Sequence, residues 1–417
     1  MAELNQVECR RAIEALRSGV PNRDAVRALG GGQPHIEDRF RQVLRELPED
    51  MAKDTHTPGM LIAGDFGSGK SHVLEYLRHI ALEENFVCSR IVLSKETPLY
   101  DQAKLYRTAI ETAAVPGKKG AALAEIAASL NFEHERYADL YQWANRPETR
   151  LHAHLAASLF VYERVKDREI QDKILSFWGG DPLRVGDLRS WLAAQGEAGR
   201  YRPEKGGMKD LPRQRFKFVA RLMTAAGYGG WVLLIDEAEL IGRYAFRQRA
   251  KSYAVLAQLA GKIKSEACPG LVSVFAITSD FTEAILDQKN DVKLIPERLR
   301  TSDNAADAAV ATQAERGMRV ISREALRLTP PTQAVIEQTH DHIEGIHGQA
   351  YGWDPPPATP YERLTTTSMR QYVRRWINEW DLRRLYPGYT VETVVADLVV
   401  EYAEDAALQT PEDSVEE

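Results

Sequence analysis

The sequence predicts an α/β fold, with a core built on a parallel β-sheet, a large helical insertion in that core and a helical region behind it. Apolar runs of strand length predict buried strands at residues 60–63, 231–235 and 271–277. Segments with helical periodicity lie between and after these runs, and this alternation is typical of α/β proteins. Glycine or polar residues follow each run, so the strand ends are the expected location of a ligand site.

Length, charge and cysteine content narrow the class of protein. The 417 residues allow two or three packed units. No stretch approaches the roughly 20 apolar residues of a membrane span, and the first residues lack the pattern of a signal peptide. Three cysteines, far apart and odd in number, favour a reducing cytosol, so we expect a cytoplasmic protein without membrane contact. The net charge of −6 means that nucleic acid would have to meet a local basic patch.

Residues 1–50 are predicted to form a helical N-terminal segment. Amphipathic runs at 11–17 and 36–47 flank a third run that begins at Asn22 and ends at Gly30. Helices in this position could form part of a base-binding pocket, or they could simply pack against the edge of the sheet. The sequence leaves both possibilities open.

The most informative stretch follows the first predicted strand. Gly64 to Ser71 reads G-x-x-x-x-G-K-S, the pattern of a phosphate-binding P-loop. Val73, Leu74 and Leu77 then recur at helical spacing, so the loop lies between a strand and a helix N-terminus, as a P-loop must. The residues predicted to contact the nucleotide are Gly64, Asp65, Phe66, Gly67, Ser68, Gly69, Lys70, Ser71 and His72.

The P-loop pattern suits a triphosphate because many donors converge without bulky side chains. Glycines let successive backbone N–H groups turn inward, and the helix N-terminus adds partial positive charge. Lys70 is predicted to contact the β- and γ-phosphates and to act in catalysis, and the Ser71 hydroxyl to ligate Mg²⁺. The competing interpretation is a glycine-rich turn before an ordinary helix, which the strand before the loop disfavours. We therefore expect ATP and Mg²⁺ as cofactors.

A large helical insertion is predicted within the core, which we assign to residues 51–300. Residues 86–94 form the next strand, and the pattern from about 101 to 221 is helical. Asp236, at the end of the following apolar strand, lies 166 residues after Lys70, whereas one βα crossover needs only about 30. An insertion of roughly 100 residues therefore separates the two motifs.

Carboxylates end the second decisive strand. Asp236 and Glu237 follow five apolar residues, and ligands of open α/β sheets bind at such carboxyl ends. Asp236 is predicted to hold Mg²⁺, and Glu237 to orient or deprotonate the attacking water.

Polar residues also end the strand at 271–277. Thr278 and Ser279 are candidate catalytic residues that could bond the γ-phosphate or the attacking water, although either could instead cap the next helix. Arg298 and Arg300 follow, and one of them is a candidate arginine finger, which would stabilise charge on the transferred phosphoryl group. Their competing interpretation is a surface ion pair with Glu297 or Asp303.

The remaining residues, 301–407, are predicted to form a helical lid. We expect helices at 331–350, 366–380 and 391–407, and an acidic tail at 408–417. Arg370, near the start of the second of these helices, is placed where a lid could offer it to the nucleotide.

This set of motifs resembles the AAA+ ATPases, and within them the origin-recognition-like branch. The resemblance implies a P-loop AAA+ core with a helical lid. It also implies a homo-oligomer, because AAA+ proteins present arginines outward to the site of a neighbouring subunit. No winged-helix module is recognisable after the lid, so contact with DNA could be direct or through partners.

A narrower resemblance extends over residues 8 to about 400. Residues 11–26, 64–71, 94–100 and 370–384 look like the ATPases of bacteriophage-exclusion (BREX) systems, the BrxC/BrxD-type family. The chain is more like the compact BrxD than the longer BrxC. The family implies a role in antiviral defence beside a DNA methyltransferase, with other phage-defence proteins as partners.

Two functions follow from these motifs. The first is an ATPase whose turnover assembles or remodels a DNA-associated defence complex. The second is a nucleotide-gated binding module with negligible turnover. Glu237 favours the first, because binding alone needs no carboxylate beside the water.

Overall fold

A computed structural model of the chain describes residues 5–19, 22–201, 210–302, 304–357 and 369–388, together with Tyr402, Glu404, Asp405 and Leu408. Most of the helix expected at 391–407 and most of the acidic tail at 408–417 lie outside the described residues, as does the start of the helix expected at 366–380.

The core is one six-stranded sheet that is parallel except at one edge. Its strands are β1 (Met60–Ala63), β2 (Val87–Val92), β3 (Ala113–Ala114), β4 (Trp231–Asp236), β5 (Leu271–Ile277) and β6 (Ala325–Arg327). Their spatial order is β3-β2-β4-β5-β1-β6, and only the pairing of β3 with β2 is antiparallel. The predicted α/β class with a mostly parallel sheet is confirmed.

Helices account for most of the remaining described residues. Those before β4 are α1 (Gln6–Ser18), α2 (Arg23–Leu29), α3 (Pro34–Ala52), α4 (Lys70–Glu83), α5 (Gln102–Glu111), α6 (Ala122–Ala128), α7 (Glu135–Asn145), α8 (Ala153–Arg164), α9 (Arg168–Gly179), α10 (Val185–Ala194) and α11 (Leu211–Ala225). Those after β4 are α12 (Phe246–Leu259), α13 (Asp291–Arg300), α14 (Ala305–Arg323), α15 (Gln333–Tyr351) and α16 (Met369–Leu385). A 3₁₀ helix (Ala238–Arg243) follows β4, and a π-helix (Thr282–Gln288) follows β5.

The strands are apolar on both faces because helices cover both sides of the sheet. Val232 and Leu234 of β4 pack with α3 and α4, whereas Leu233 and Ile235 face the opposite side. That opposite side carries the insertion helices between β2 and β4, along with α12 and α14. The large helical insertion is therefore part of the main core rather than a separate appendage.

A third apolar cluster joins the two ends of the chain. It brings α1 and α2 against α15 and α16, with Ile13, Ile343 and Ile377 fully buried between them. Arg17 of α1 and His347 of α15 both contact the Asp381 carboxylate on α16, at 3.2 Å each. We call this group of four helices the terminal helical unit. It contains part of the predicted N-terminal segment and part of the predicted lid.

The strand β6 was not predicted from the sequence. It lies within residues 301–407, which were predicted to form the lid, yet it pairs with β1 as the edge strand of the core sheet. The boundary between core and lid stays a prediction. None of the described helices is both long enough and apolar enough to cross a membrane.

Candidate nucleotide-binding site

The predicted P-loop lies between β1 and α4, and its backbone requires glycine at defined points. Gly67 and Gly69 have φ values of 76° and 101°, in the left-handed region that favours glycine. At Gly64 a Cβ would lie 2.6 Å from Ser68 Oγ, so the loop approaches itself closely there. The predicted order of strand, glycine loop and helix is confirmed.

Lys70 is the first residue of α4, and its ammonium lies inside the loop. Lys70 Nζ donates to the carbonyl oxygens of Gly64 at 2.8 Å and Asp65 at 3.2 Å. The side chain is 9% exposed, and Glu239 Oε1 lies 4.0 Å from Nζ. Phosphate oxygens could replace the two carbonyls as acceptors, because Lys70 carries three N–H donors.

Asp236 and Ser71 lie on the same side of the P-loop helix. Ser71 and Glu75 are four residues apart on α4 and therefore share a face. Arg90 of β2 bridges Glu75 Oε2 at 3.0 Å to Asp236 Oδ2 at 3.3 Å. A carboxylate and a hydroxyl are oxygen ligands that a hard cation such as Mg²⁺ accepts, so these residues fit the predicted metal site. Arg90, which was not singled out from the sequence, is the group that links Asp236 to Glu75 of α4.

Glu237 follows β4 in a strained backbone conformation. Its φ of 61° lies in the left-handed region, which costs on the order of 1–2 kcal/mol for a residue with a side chain. Burial and the neighbouring Asp236 raise the pKa of Glu237, whereas Lys70 and Arg370 oppose that rise. Strain of this kind persists only where surrounding structure enforces it and is common at functional sites.

Glu239 is a candidate site residue that the sequence analysis missed. It lies in the 3₁₀ helix after β4, is 6% exposed, and its Oε2 is buried without a hydrogen-bond partner among the described residues. Burial raises the pKa of Glu239 to about 7, while the charge of Lys70 acts in the other direction. The signal in the sequence was a third acidic residue in the run Asp-Glu-Ala-Glu at 236–239.

The raised pKa of Glu239 predicts a pH-dependent effect on stability. The folded chain holds the Glu239 proton up to about pH 7, whereas the unfolded chain releases it near the ordinary value of 4.5. Folding is therefore disfavoured by this group as pH rises from 4.5 to 7. We expect the unfolding free energy of Glu239→Gln, relative to the unmodified chain, to rise by on the order of 3 kcal/mol over that interval and then to level off.

Urea unfolding without nucleotide at pH 5, 6, 7 and 8 measures this difference. Glu297→Gln is the matched control, because Glu297 is exposed on α13 and its charge remains in water. A constant difference between Glu239→Gln and the unmodified chain at all four pH values would contradict the prediction.

Thr278 and Ser279 lie at the end of β5, and their hydroxyls bond other side chains instead of capping the helix that follows. The Ser279 hydroxyl donates to the carboxylate of the P-loop residue Asp65. The Thr278 hydroxyl lies 2.5 Å from the hydroxyl of Tyr402. The π-helix that follows has no side-chain cap. The end of β5 is thus tied directly to the P-loop.

Arg298 and Arg300 lie in the last turn of α13, and their described contacts are away from the P-loop. The Arg298 guanidinium lies 5.3 Å from the centre of the Phe246 ring. Arg300 Nη2 pairs with Glu315 Oε2 on α14 at 2.8 Å, a different partner from the two considered from the sequence. Both side chains are exposed. Within one chain, these arginines are not brought together with Lys70 and Glu237.

Arg370, by contrast, is brought to the P-loop. It lies in the first described turn of α16, and its guanidinium lies 5.9 Å from the ring centre of Phe66. Its charge is also close enough to lower the pKa of Glu237. Arg370, which follows Lys70 by 300 positions in the sequence, therefore contributes positive charge beside the P-loop.

A mostly apolar cavity of about 340 Å³ opens beside the P-loop. Its volume is within the range of about 300–1,000 Å³ for small-molecule sites. The terminal helical unit and the P-loop residues Gly67, Ser68 and Gly69 line it. His72 also lines it, and its Nε2 lies 2.6 Å from the Gly30 carbonyl oxygen. The N-terminal helices were predicted either to form part of a base-binding pocket or to pack against the sheet. The first alternative fits α1 and α2, which adjoin this cavity, and the second fits α3, which packs on the sheet.

A mostly parallel sheet with a glycine loop between β1 and α4, and an aspartate ending β4, defines a P-loop protein of the α/β class. The family model described as BREX system ATP-binding protein BrxC/D matches residues 4–165 and 209–411. The chain belongs to this family of ATP-binding proteins, so the predicted resemblance is confirmed.

The match does not distinguish the compact BrxD subtype from BrxC, and that distinction stays a prediction. The unmatched stretch, 166–208, contains α9 and α10 of the insertion. No curated protein and no solved structure matches the chain.

Proposed function

We propose that this chain is an AAA+ ATPase that binds ATP with Mg²⁺ and hydrolyses it in the cytoplasm. Turnover would assemble or remodel a defence complex on DNA, with other BREX proteins as partners and with DNA contacted directly or through them. The observation that carries the proposal is that Lys70 inside the P-loop, Asp236 at the end of β4 and Arg370 of α16 all lie close enough to Glu237 to affect its pKa. Simple nucleotide binding would not need a carboxylate at Glu237, held there by a strained backbone.

Each residue has a distinct role in this proposal. Lys70 exchanges its carbonyl partners for β- and γ-phosphate oxygens. Ser71 and Asp236 would hold Mg²⁺, which neutralises charge on the phosphates. Glu237 orients the attacking water and takes its proton, for which a raised pKa is suitable. Arg370 adds positive charge from the side of the lid.

A nucleotide-gated binding module is the second candidate function. The cavity beside the P-loop is lined by helices from both ends of the chain. Binding of ATP beside the P-loop could therefore change how α1 and α16 pack, without any hydrolysis. This alternative needs the same ATP binding but no role for Glu237.

A steady-state ATPase assay of the purified full chain, with and without duplex DNA, separates the two functions. Phosphate release that requires Mg²⁺ supports the first. Tight ATP binding with no phosphate release under either condition, including with partner proteins added, would favour the gated module. Failure to bind ATP at all would contradict both.

We further propose that the complete ATPase site forms between subunits of a homo-oligomer. Arg298 and Arg300 are exposed and engaged away from the P-loop of their own chain, as expected if they serve a neighbour. An arginine finger adds on the order of 10³-fold or more to the rate. We expect Lys70→Ala mixed with the Arg298→Ala, Arg300→Ala double variant to recover turnover, because one interface then holds an intact P-loop and an intact finger.

The measurement is ATPase rate against protein concentration, for each variant alone and for the mixture. Arg319→Ala is a control, since Arg319 is exposed on α14 outside the site. A rate per subunit that is constant at all concentrations, together with no recovery on mixing, would show that one chain contains the whole site. The Arg300–Glu315 pair would then be a surface ion pair of little energetic value.

A further inference from the structure

Four described residues near the C-terminus lie against the core beside the end of β5. The Tyr402 hydroxyl is 2.5 Å from Thr278 Oγ1 and donates to Asp280 Oδ1 at 2.9 Å. The Tyr402 ring meets Phe281 edge to face, with 6.2 Å between ring centres. On its other side is Gly242, where a Cβ would lie 3.1 Å from the Tyr402 ring. The tyrosine thus occupies a close-fitting position between the elements that follow β4 and β5.

Charged groups of the core hold this segment in place. Arg243 pairs with Asp405 at 2.7 Å, and Arg249 pairs with Glu404 at 2.6 Å. Lys289 Nζ donates to the carbonyl oxygens of Gly242 at 2.9 Å and of Tyr402 at 2.5 Å. The first two pairs are partly exposed, so each contributes little alone. Their combined effect is to fix the position of the backbone that carries Tyr402.

Arg249 makes this anchor rigid. Its guanidinium is 7% exposed and contacts both oxygens of the buried Asp291, at 2.9 and 3.1 Å. It also donates to the Tyr244 carbonyl oxygen at 2.8 Å. The group that receives Glu404 is therefore also held by three hydrogen bonds to two groups of the core, the Asp291 carboxylate and the Tyr244 carbonyl.

The hydrogen bonds of Tyr402 have a defined direction. A phenol has one proton to donate, and an aspartate carboxylate only accepts. Because the Tyr402 proton goes to Asp280, the Tyr402 oxygen must accept the proton of the Thr278 hydroxyl. Burial raises the pKa of Tyr402, so this proton is retained at neutral pH. The Thr278 oxygen is then left with lone pairs, and it can accept a hydrogen bond but has no proton for a phosphate.

We propose that Tyr402 is a positioning residue for hydrolysis, which makes Thr278 a hydrogen-bond acceptor for the attacking water rather than a donor to the γ-phosphate. The inference rests on the proposed ATPase function and decides between two roles that the sequence left open for Thr278. In this arrangement Glu237 and Thr278 accept the two protons of the same water, one from the end of β4 and one from the end of β5. The C-terminal segment becomes part of the ATPase site.

The test is Tyr402→Phe in the full chain, with ATP affinity and steady-state kinetics measured separately. We expect kcat to fall about tenfold, the equivalent of one hydrogen bond, while KM and ATP affinity change less than about twofold. Tyr386→Phe is the matched control, because Tyr386 is 64% exposed at the end of α16. Asp280→Ala is a second variant that leaves the Tyr402 ring in place. It frees the Tyr402 proton, and we expect kcat to fall in this variant too.

Thr278→Val provides the comparison that isolates the inference. If Tyr402 acts through Thr278, adding Tyr402→Phe to Thr278→Val lowers kcat little further. Unchanged or increased kcat in both Tyr402→Phe and Asp280→Ala, with a defective Thr278→Val, would overturn the inference and leave the ATPase function standing. A full tenfold further loss in the double variant would also overturn it. An unmodified chain with no turnover would contradict the proposed function, and the inference with it.

Discussion

Replacing Glu237 by glutamine is expected to slow ATP hydrolysis by on the order of 100-fold or more while ATP remains bound. Glutamine keeps the size of the side chain but cannot take a proton from water. The raised pKa of Glu237 suits a base, and the left-handed backbone holds the side chain where Lys70 and Arg370 affect it. The loss should therefore appear in kcat rather than in affinity.

Single-turnover phosphate release and equilibrium nucleotide binding measure the two quantities independently. Glu135→Gln, on the exposed surface of α7, makes the same chemical change outside the site. Normal turnover in Glu237→Gln would mean that Glu237 has only a structural role, and the proposed mechanism would be wrong.

Replacing Lys70 by alanine is expected to abolish ATP binding at ordinary concentrations and leave the fold intact. The ammonium supplies charge-assisted hydrogen bonds worth on the order of 2–3 kcal/mol to a phosphate, which is a loss of roughly 30- to 150-fold in affinity. Further loss follows because the same ammonium holds the Gly64 and Asp65 carbonyls of the loop. The alanine variant therefore loses both a ligand contact and the organisation of the loop.

A titration with fluorescently labelled ATP, beside a circular dichroism melt, distinguishes these effects from unfolding. Lys119→Ala removes an exposed lysine from the insertion and should bind as the unmodified chain does. Unchanged affinity in Lys70→Ala would rule out the P-loop as the phosphate site.

The parts of the site that could be predicted from sequence are those made by consecutive residues. The P-loop depends on a strand, a turn and a helix that adjoin one another, so Gly64 to Ser71 already determine its shape. Asp236 and Glu237 were identified for the same reason, at the end of an apolar run. The start of α2 was also predicted, because Asn22 caps that helix with its own side chain.

The parts that could not be predicted depend on contacts between distant residues. Nothing in the sequence pairs Tyr402 with Thr278, which meet through packing against Gly242 and Phe281 and through the ion pairs of the neighbouring residues. Glu239 was missed because its approach to Lys70 depends on the 3₁₀ turn after β4 rather than on strand periodicity. The strand β6 has three residues and no buried apolar run, so only its pairing with β1 reveals it.

The terminal helical unit has a consequence for how the protein is made on the ribosome. The apolar face of α1, with Ile13 and Leu16, packs against α16. The residues of α16 lie roughly 350 positions later in the chain. At about 5–20 residues per second, α1 is exposed to the cell for tens of seconds before α16 is synthesised. The sheet can form in that interval, but the cavity beside the P-loop cannot close. We therefore expect nascent chains to acquire their ATP pocket only after α16 has left the ribosome, and chaperones that bind apolar helices to meet α1 first.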